Sequence, residues 1–144
     1  YPDREEEREI LRRVTTDDLA PIAAVATPDE ILAARSMLPQ IRLDERVENY
    51  ILDLVRATRE AGSSDPELGR WVEYGASPRA SIFLGRTARA HAFLDGRPFT
   101  VPEDVQAFAL DVLRHRIMLT FEAEAELVTS EQIVERILAA VPVP

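Results

Sequence analysis

The sequence predicts a mainly α-helical bundle with at most a small β element. Apolar residues recur at helical spacing in several segments, and residues that favour helix starts precede these segments. Only a few short runs have the composition of strands, and no internal repeat is visible. The chain has 144 residues, 46% of them hydrophobic and 30% charged, which suits one domain with a hydrophobic core.

A charged helix and a linker are predicted at the N-terminal end. Residues 3–13 have the pattern of a short surface helix that Asp3 caps, with acids in the first turn and arginines in the last. This helix has few apolar residues to bury, so it is equally well interpreted as the last helix of a preceding domain. Residues 15–26 are mixed in character and contain Pro21, so we predict a linker there.

Two helices are predicted after the linker. The first begins with a capping box at residues 27–30 and ends near Met37. The second opens at Leu43 or Asp44 and carries an amphipathic stripe of apolar residues. Gly62 stands where it would end this helix as a C′ glycine.

The strongest helical pattern covers residues 77–95. Ser77 is the predicted N-cap, Pro78 takes the first helical position, and Gly96 ends the helix. The preceding segment, residues 63–74, is predicted as a loop that contains one helical turn at residues 66–71.

Two more helices and a candidate strand are predicted in the C-terminal part. The helices cover residues 101–114 and 129–140, and the second opens with a Thr-Ser-Glu-Gln start. Residues 117–121 are a candidate strand, with residues 98–101 or 40–43 as the predicted partner.

The charge and composition exclude several kinds of function. The net charge is −9, so a general affinity for nucleic acid or anionic lipid is not expected. Cysteine is absent, which excludes a disulfide, a cysteine metal site and a thiol nucleophile, and fits a cytoplasmic location. All 17 basic residues are arginine, so this chain contains no P-loop lysine. No apolar run reaches the roughly 20 residues that a membrane span needs, so membrane insertion is not expected.

Arg79 lies in the first turn of the helix at 77–95, where a cation is least favourable. At the second helical position it would cost a few tenths of a kcal/mol, up to about one. Free N–H groups and a guanidinium together form a phosphate receptor, so an anion is one explanation. The alternative is an ion pair with Glu73 or another acid. Arg86 lies on nearly the same helix face, and Arg89 follows one turn later.

The remaining polar residues form no recognisable catalytic or metal-binding set. His91 and His115 are the only histidines, and neither has a second ligand at the spacing of a metal site. We interpret His91 as a half-buried packing residue. His115 is interpreted either as a partner contact or as a favourable charge at a helix C-terminus. The acidic clusters, which include residues 103–104 and 122–126, are interpreted as helix caps or solvated surface.

Several stretches keep a characteristic order and spacing over nearly the whole chain. They are YPDREEEREIL at 1–11, YILDLVRATR at 50–59, GASPRA at 75–80, DGRPFTVPEDV at 95–105, VLRHRI at 112–117 and VPVP at 141–144. Together they resemble the C-terminal lid of MoxR-type AAA+ ATPases. The resemblance implies a helical lid that follows an ATPase core, with residues 27–144 as the lid, residues 15–26 as a linker and residues 1–14 as the last core helix or a hinge.

The resemblance also implies a role for Arg79. The lid of this family carries the sensor-2 arginine, which approaches the γ-phosphate of ATP, and this arginine falls on Arg79, with Ser77 beside the nucleotide. The full-length protein would use ATP and Mg²⁺. Walker A, Walker B and sensor 1 are missing from this chain, so we expect the fragment alone to be inactive and to bind no nucleotide tightly.

The partners implied by the resemblance are the ATPase core, neighbouring subunits of a homo-oligomeric ring, commonly a hexamer, and proteins with von Willebrand factor A domains. Arg86, Arg89 and His115 are candidate contacts with a neighbouring subunit. The segment at 60–74 is longer than usual for the family, and we expect it to loop out near the site, with Trp71 at the edge of the core. The main alternative is a stand-alone helical protein-interaction module without a nucleotide role. A nucleic-acid-binding helical domain is the third reading, and the negative net charge disfavours it.

Overall fold

The computed structural model of the chain describes residues 1–15 and 23–144. These residues form two units, Tyr1–Ala33 and Ala34–Pro144. Most of the predicted linker lies outside the described residues, so the predicted boundaries at 14 and 26 stay predictions. No helix within the described ranges has the length and apolar composition that crossing a membrane requires.

The first unit contains the predicted charged helix, α1 (Arg4–Thr15). Its N-terminal cap is the predicted one, because the Asp3 carboxylate accepts hydrogen bonds from the backbone N–H groups of Glu5 and Glu6 at 2.8 and 2.9 Å. The Glu6 carboxylate accepts in return from the Asp3 N–H at 2.9 Å. No residue of α1 is buried, so both interpretations of this helix, a surface helix and the last helix of a preceding domain, stay open.

The second helix, α2 (Pro28–Met37), begins with the predicted capping box. The Glu30 carboxylate accepts from the Thr27 N–H at 2.7 Å, and the Thr27 hydroxyl accepts from the Glu30 N–H at 3.3 Å. A single 3₁₀ turn, Leu38–Gln40, follows α2. Both ends of α2 therefore agree with the sequence pattern.

The second unit is the predicted helical bundle. Most of its core comes from apolar residues of α3, α6, α7 and α9, several of which have no exposed surface, such as Leu54, Leu84, Leu113 and Ile133. The helices are α3 (Glu45–Arg59), α4 (Ala61–Ser64), α5 (Pro66–Trp71), α6 (Arg79–Leu94), α7 (Pro102–Leu113), α8 (Phe121–Ala125) and α9 (Ser130–Ala140).

Helix α3 ends earlier than predicted. It ends at Arg59, and Gly62 lies inside the short helix α4, so the predicted C′ glycine was wrong. Gly62 is needed for a close contact instead. A Cβ on Gly69 of α5 would lie 2.5 Å from the Cα of Gly62. The two glycines therefore let α4 and α5 pack directly against each other, and this contact is not visible in a local sequence pattern.

Gly96 ends α6 as predicted. Its φ of +70° is in the left-handed region that favours glycine. The Arg97 N–H donates to the Ala92 carbonyl at 2.8 Å, and the Gly96 N–H donates to the Phe93 carbonyl at 3.0 Å. These two bonds are those of a Schellman motif, and they satisfy carbonyls that the end of the helix would leave unpaired.

The small β element has a different pairing from the one predicted. The candidate strand forms as β2 (Met118–Leu119), but its antiparallel partner is β1 (Val72–Tyr74), in the segment predicted as a loop. The sequence did not reveal β1 because three residues are too few to show alternation. The two candidate partners bridge each other instead, since the Arg42 N–H donates to the Pro98 carbonyl at 2.9 Å.

Gly85 gives a first testable prediction. It lies in the middle of α6, where a Cβ would have the Leu43 Cδ2 atom as its nearest neighbour, at 3.6 Å. We expect Gly85→Ala to raise the free energy of unfolding by about 0.5–1 kcal/mol, because alanine loses less backbone entropy in a helix. Urea unfolding of the two proteins measures this. The matched variant Gly69→Ala should destabilise, and a loss of stability in Gly85→Ala would contradict the prediction.

Candidate functional site

Helix α6 begins at Arg79, one residue later than predicted. Pro78 takes the N-cap place with φ −55° and ψ −20°, so the predicted N-cap Ser77 was wrong by one residue. The reason is a turn ahead of the helix, in which the Ala80 N–H donates to the Ser77 carbonyl at 2.9 Å. Arg79 is therefore the first helical residue, and its side chain starts from the end of the helix where backbone N–H groups have few partners.

The Arg79 side chain is exposed. No carboxylate among the described residues lies within 4.0 Å of its guanidinium, so the alternative ion pair with Glu73 does not form. An exposed cation at the positive end of a helix dipole has no internal compensation. This arrangement suits an external anion with several oxygen acceptors, such as a phosphate group.

The loop that precedes α6 is attached to the end of α3. Thr58 is fully buried, and its hydroxyl donates to the Val55 carbonyl at 2.7 Å and accepts from the Ala76 N–H at 2.9 Å. Gly75 lies against the Thr58 backbone, where a Cβ would be 2.3 Å from the carbonyl oxygen. The chain is therefore held just before the exposed arginine.

A groove of about 700 Å³ lies between the start of the second unit and α6. Three arginines line it, Arg35, Arg86 and Arg89, and its lining includes no acid in the part of the chain that the structure describes. Arg35 and Arg86 have no carboxylate within 4.0 Å among those residues. The groove is thus basic in a chain whose net charge is −9. Its apolar wall includes Leu38, Pro39 and Phe83.

The segment at 60–74 does not loop out as expected. It forms α4, α5 and β1, and charged contacts attach it to α8. Arg70 forms ion pairs with Glu122 and Glu126, the second at 3.1 Å. The Trp71 indole N–H donates to the Glu126 carboxylate at 2.8 Å. These two acids, interpreted from the sequence as caps or solvated surface, therefore hold the segment in place.

Helix α9 also contacts this segment. The Arg136 guanidinium carbon lies 5.1 Å from the centre of the Trp71 ring, a cation–π contact. Arg136 also pairs with Asp65 and with Glu67, the latter at 2.7 Å. Trp71 is 9% exposed, which confirms its predicted place at the edge of the core.

A second charged cluster surrounds Asp104, which has no exposed surface. Its carboxylate accepts hydrogen bonds from the Arg97 guanidinium at 2.8 Å and from the Val101 N–H at 2.8 Å, and the His91 Nδ1 lies 2.7 Å away. Burial by itself would raise the pKa of this carboxyl. The bonds from Arg97, Val101 and His91 outweigh burial and lower the pKa of Asp104 to about 2.

The same cluster has the donor atoms of a cation site. One ligand atom each from His91, Asp95 and Asp104 lies within 4.8 Å of the others. Arg97 pairs with both carboxylates, at 3.0 Å from Asp95, so a guanidinium already supplies the cation here. The sequence predicted two parts of this cluster, a helix cap at residues 103–104 and a half-buried His91. The structure confirms both. His91 also makes an edge contact with Phe108, with ring centres 5.4 Å apart.

Sequence reasoning missed two residues that organise these sites. Thr58 continues the apolar stripe of α3, and a polar side chain in a buried stripe must find hydrogen-bond partners. The need for a partner could therefore be read from the sequence, but the identity of that partner, the Ala76 N–H, could not. Arg97 gave no signal, because its role depends on the turn at Gly96 that brings it back to Asp104.

The chain is similar to known proteins along its whole length. Residues 70–137 match a protein family described as the AAA lid domain. The whole chain is 35% identical to Chaperone MoxR1 of Mycobacterium tuberculosis and 32% identical to the uncharacterized protein YeaC of Bacillus subtilis. It covers 38% and 43% of these two proteins, so it spans less than half the length of the curated relatives.

A solved structure has the same fold. A protein from Cytophaga hutchinsonii superimposes on the whole chain with a TM-score of 0.90 and 37% sequence identity, and the chain covers 44% of it. At 37% sequence identity, the two proteins are similar in sequence as well as in fold, over the whole of this chain.

Proposed function

Because the chain belongs to the lid domains of MoxR-type AAA+ ATPases, we propose that it supplies the sensor-2 arginine of its parent enzyme, and that this residue is Arg79. One observation carries the proposal. Arg79 stands exposed at the first position of a 16-residue helix and has no carboxylate partner among the described residues. Ser77, two residues before it, is proposed to lie beside the nucleotide.

The proposed chemistry follows from the opposite charges of the γ-phosphate and the Arg79 guanidinium. Phosphoryl transfer places negative charge on the equatorial oxygens of the γ-phosphate, and a guanidinium can donate two parallel hydrogen bonds to them. A donor fixed before the reaction stabilises that charge without reorganising. ATP and Mg²⁺ would be held mainly by the core, because this chain has no lysine to serve as the P-loop lysine. We therefore propose that the fragment alone neither hydrolyses ATP nor binds it tightly.

Replacing Arg79 by alanine in the full-length protein tests this role. The lid should stay folded, because the Arg79 side chain is exposed and has no hydrogen-bond or ion-pair partner within residues 1–15 and 23–144. Turnover and nucleotide affinity should both fall, because an interaction with the γ-phosphate is lost.

The parent protein is proposed to act as a chaperone-like ATPase in a cytoplasmic ring of identical subunits, commonly a hexamer, with von Willebrand factor A domain proteins among its partners. The name of the relative MoxR1 as a chaperone supports the first part of this proposal. Residues 27–144 would be the lid and residues 1–14 the last core helix or a hinge. Ile10 and Leu11 of α1 are 52% and 63% exposed, which fits a helix that a preceding domain covers.

We propose that the basic groove beside α6 receives an acidic surface of the neighbouring subunit. The argument is charge complementarity, since a copy with a net charge of −9 offers many carboxylates to Arg35 and Arg86. Arg89 is less available, because its Nε already donates to the Ile41 carbonyl at 3.1 Å. His115 is exposed after α7 and stays a predicted contact.

Arg86→Glu in the full-length protein is expected to weaken ring assembly at least ten-fold, because it places like charges together at the interface. Sedimentation velocity at a fixed salt concentration measures the assembled fraction. Arg46→Glu is the matched control, because Arg46 is exposed and lies outside the groove. If the ring assembles equally well in both variants, the groove is not part of the interface between subunits.

A further inference from the structure

We propose that Thr58 and Gly75 position Arg79 for the nucleotide, so that the end of α3 fixes where the sensor arginine stands. This inference rests on the proposed role of Arg79 and names the residues through which the lid would hold it. It connects two sequence stretches, the RATR at 56–59 and the GASPRA at 75–80, which meet only in the folded chain.

The Thr58 hydroxyl has a single arrangement in this site. A hydroxyl has one hydrogen to donate, and here it goes to the Val55 carbonyl. The Ala76 N–H can only donate, so the hydroxyl oxygen must accept from it, at 2.9 Å. Thr58 and Ala76 are both fully buried. Loss of this bond would therefore leave a buried N–H without a partner, which is costly, and the loop would have to move to satisfy it.

Gly75 sets the distance between the loop and α3. A Cβ at this position would lie 2.3 Å from the Thr58 oxygen, 2.5 Å from its carbonyl carbon and 2.6 Å from the Arg59 nitrogen. All three are backbone atoms inside or at the end of α3, so they cannot turn aside as a flexible side chain would. Any residue other than glycine would push the loop away from the helix.

The held loop is close to Arg79 along the chain. Only Ser77 and Pro78 separate Ala76 from Arg79, and the proline ring fixes the backbone angle at the last step. Ala80, on the other side of Arg79, is fully buried against the core. A shift at Ala76 is therefore passed to the arginine, and a displacement of about 1 Å can lower a rate about 100-fold.

The experiment compares two substitutions in the full-length protein. Thr58→Val keeps the shape of the side chain but removes the hydroxyl, whereas Thr58→Ser keeps the hydroxyl. We expect Thr58→Val to lower kcat for ATP about ten-fold, and Thr58→Ser to keep it within about two-fold of the wild type. Circular dichroism and thermal unfolding of each variant show that the lid is folded at the assay temperature.

The Arg79→Ala background separates a positioning role from general damage. If Thr58 acts through Arg79, Thr58→Val has no further effect on kcat once the arginine is gone. The same ten-fold loss in both backgrounds overturns the positioning role and leaves the role of Arg79 intact. Wild-type kcat in Thr58→Val also overturns it. If Arg79→Ala alone has no effect, the sensor role fails, and the positioning role fails with it.

Discussion

Arg79→Ala in the full-length protein is expected to lower ATP turnover at least ten-fold, which corresponds to about 1.4 kcal/mol in the barrier. The lost guanidinium would no longer stabilise charge on the transferring phosphoryl group. Steady-state ATPase assays give kcat and KM, and a fluorescent nucleotide titration gives affinity. Arg79→Lys should also be impaired, because an ammonium keeps the charge but lacks the paired donors of a guanidinium.

Arg46→Ala serves as the control for this experiment. Arg46 is a similarly exposed arginine on α3, and its contact with Asp44 is a surface pair of 3.6 Å. It should keep wild-type turnover and affinity. If Arg79→Ala also keeps them while the protein stays folded, Arg79 has no nucleotide role. The lid would then be better interpreted as the stand-alone interaction module that the sequence left open.

Asp104→Ala is expected to lower the free energy of unfolding by about 3–5 kcal/mol, the usual cost of removing one partner from a buried ion pair. The substitution would leave Arg97 without its main counter-charge and the Val101 N–H without its acceptor. Urea unfolding followed by circular dichroism measures the change. Asp111→Ala is the matched control in the same helix, because its pair with Arg114 is exposed, and it should change stability by at most about 0.5 kcal/mol.

The contribution of Asp104 should also depend on pH in a defined direction. Its pKa is about 2 in the folded chain, below its ordinary value of 3.8. The folded state therefore favours the carboxylate, and this stabilisation, about 2 kcal/mol, is complete above about pH 5. It is lost as the pH falls from about 5 through 2. The difference in stability between wild type and Asp104→Asn should shrink over that window, and a difference that is constant from pH 7 to pH 2 would contradict the assignment.

The long helices could be predicted because their signals are local. Asp3, Thr27 and Thr129 cap the helices that they precede, and the apolar stripe of α3 packs into the core where its spacing indicated. Such signals depend on neighbours within one turn, so a single sequence reveals them. The fold class followed from these helices and did not require the short elements.

Two of the short elements could not be predicted for the same reason. Helix α4 and strand β1 have four residues or fewer, which is too short for a periodic pattern, whereas α5 coincides with the helical turn predicted at 66–71. What stabilises them is distant in the sequence, for example Glu126 at the indole of Trp71. The place of Arg79 at a helix start could be predicted because Pro78 and the helical pattern that follows it mark that start. The hydrogen bond between Thr58 and Ala76 could not, since it spans 18 positions.

The pairing of β1 with β2 has a consequence for the order of folding. The strands join residues 72–74 to residues 118–119, and the chain between them contains α6 and α7. Isolated helices form within about a microsecond, whereas closing so long a loop is entropically opposed until the intervening helices have packed. The hydrogen bond between Thr58 and Ala76 needs no residue beyond α6, so the loop before Arg79 can attach to α3 before the sheet forms. In a nascent chain β1 therefore stays without its partner strand until Met118 and Leu119 have left the ribosome.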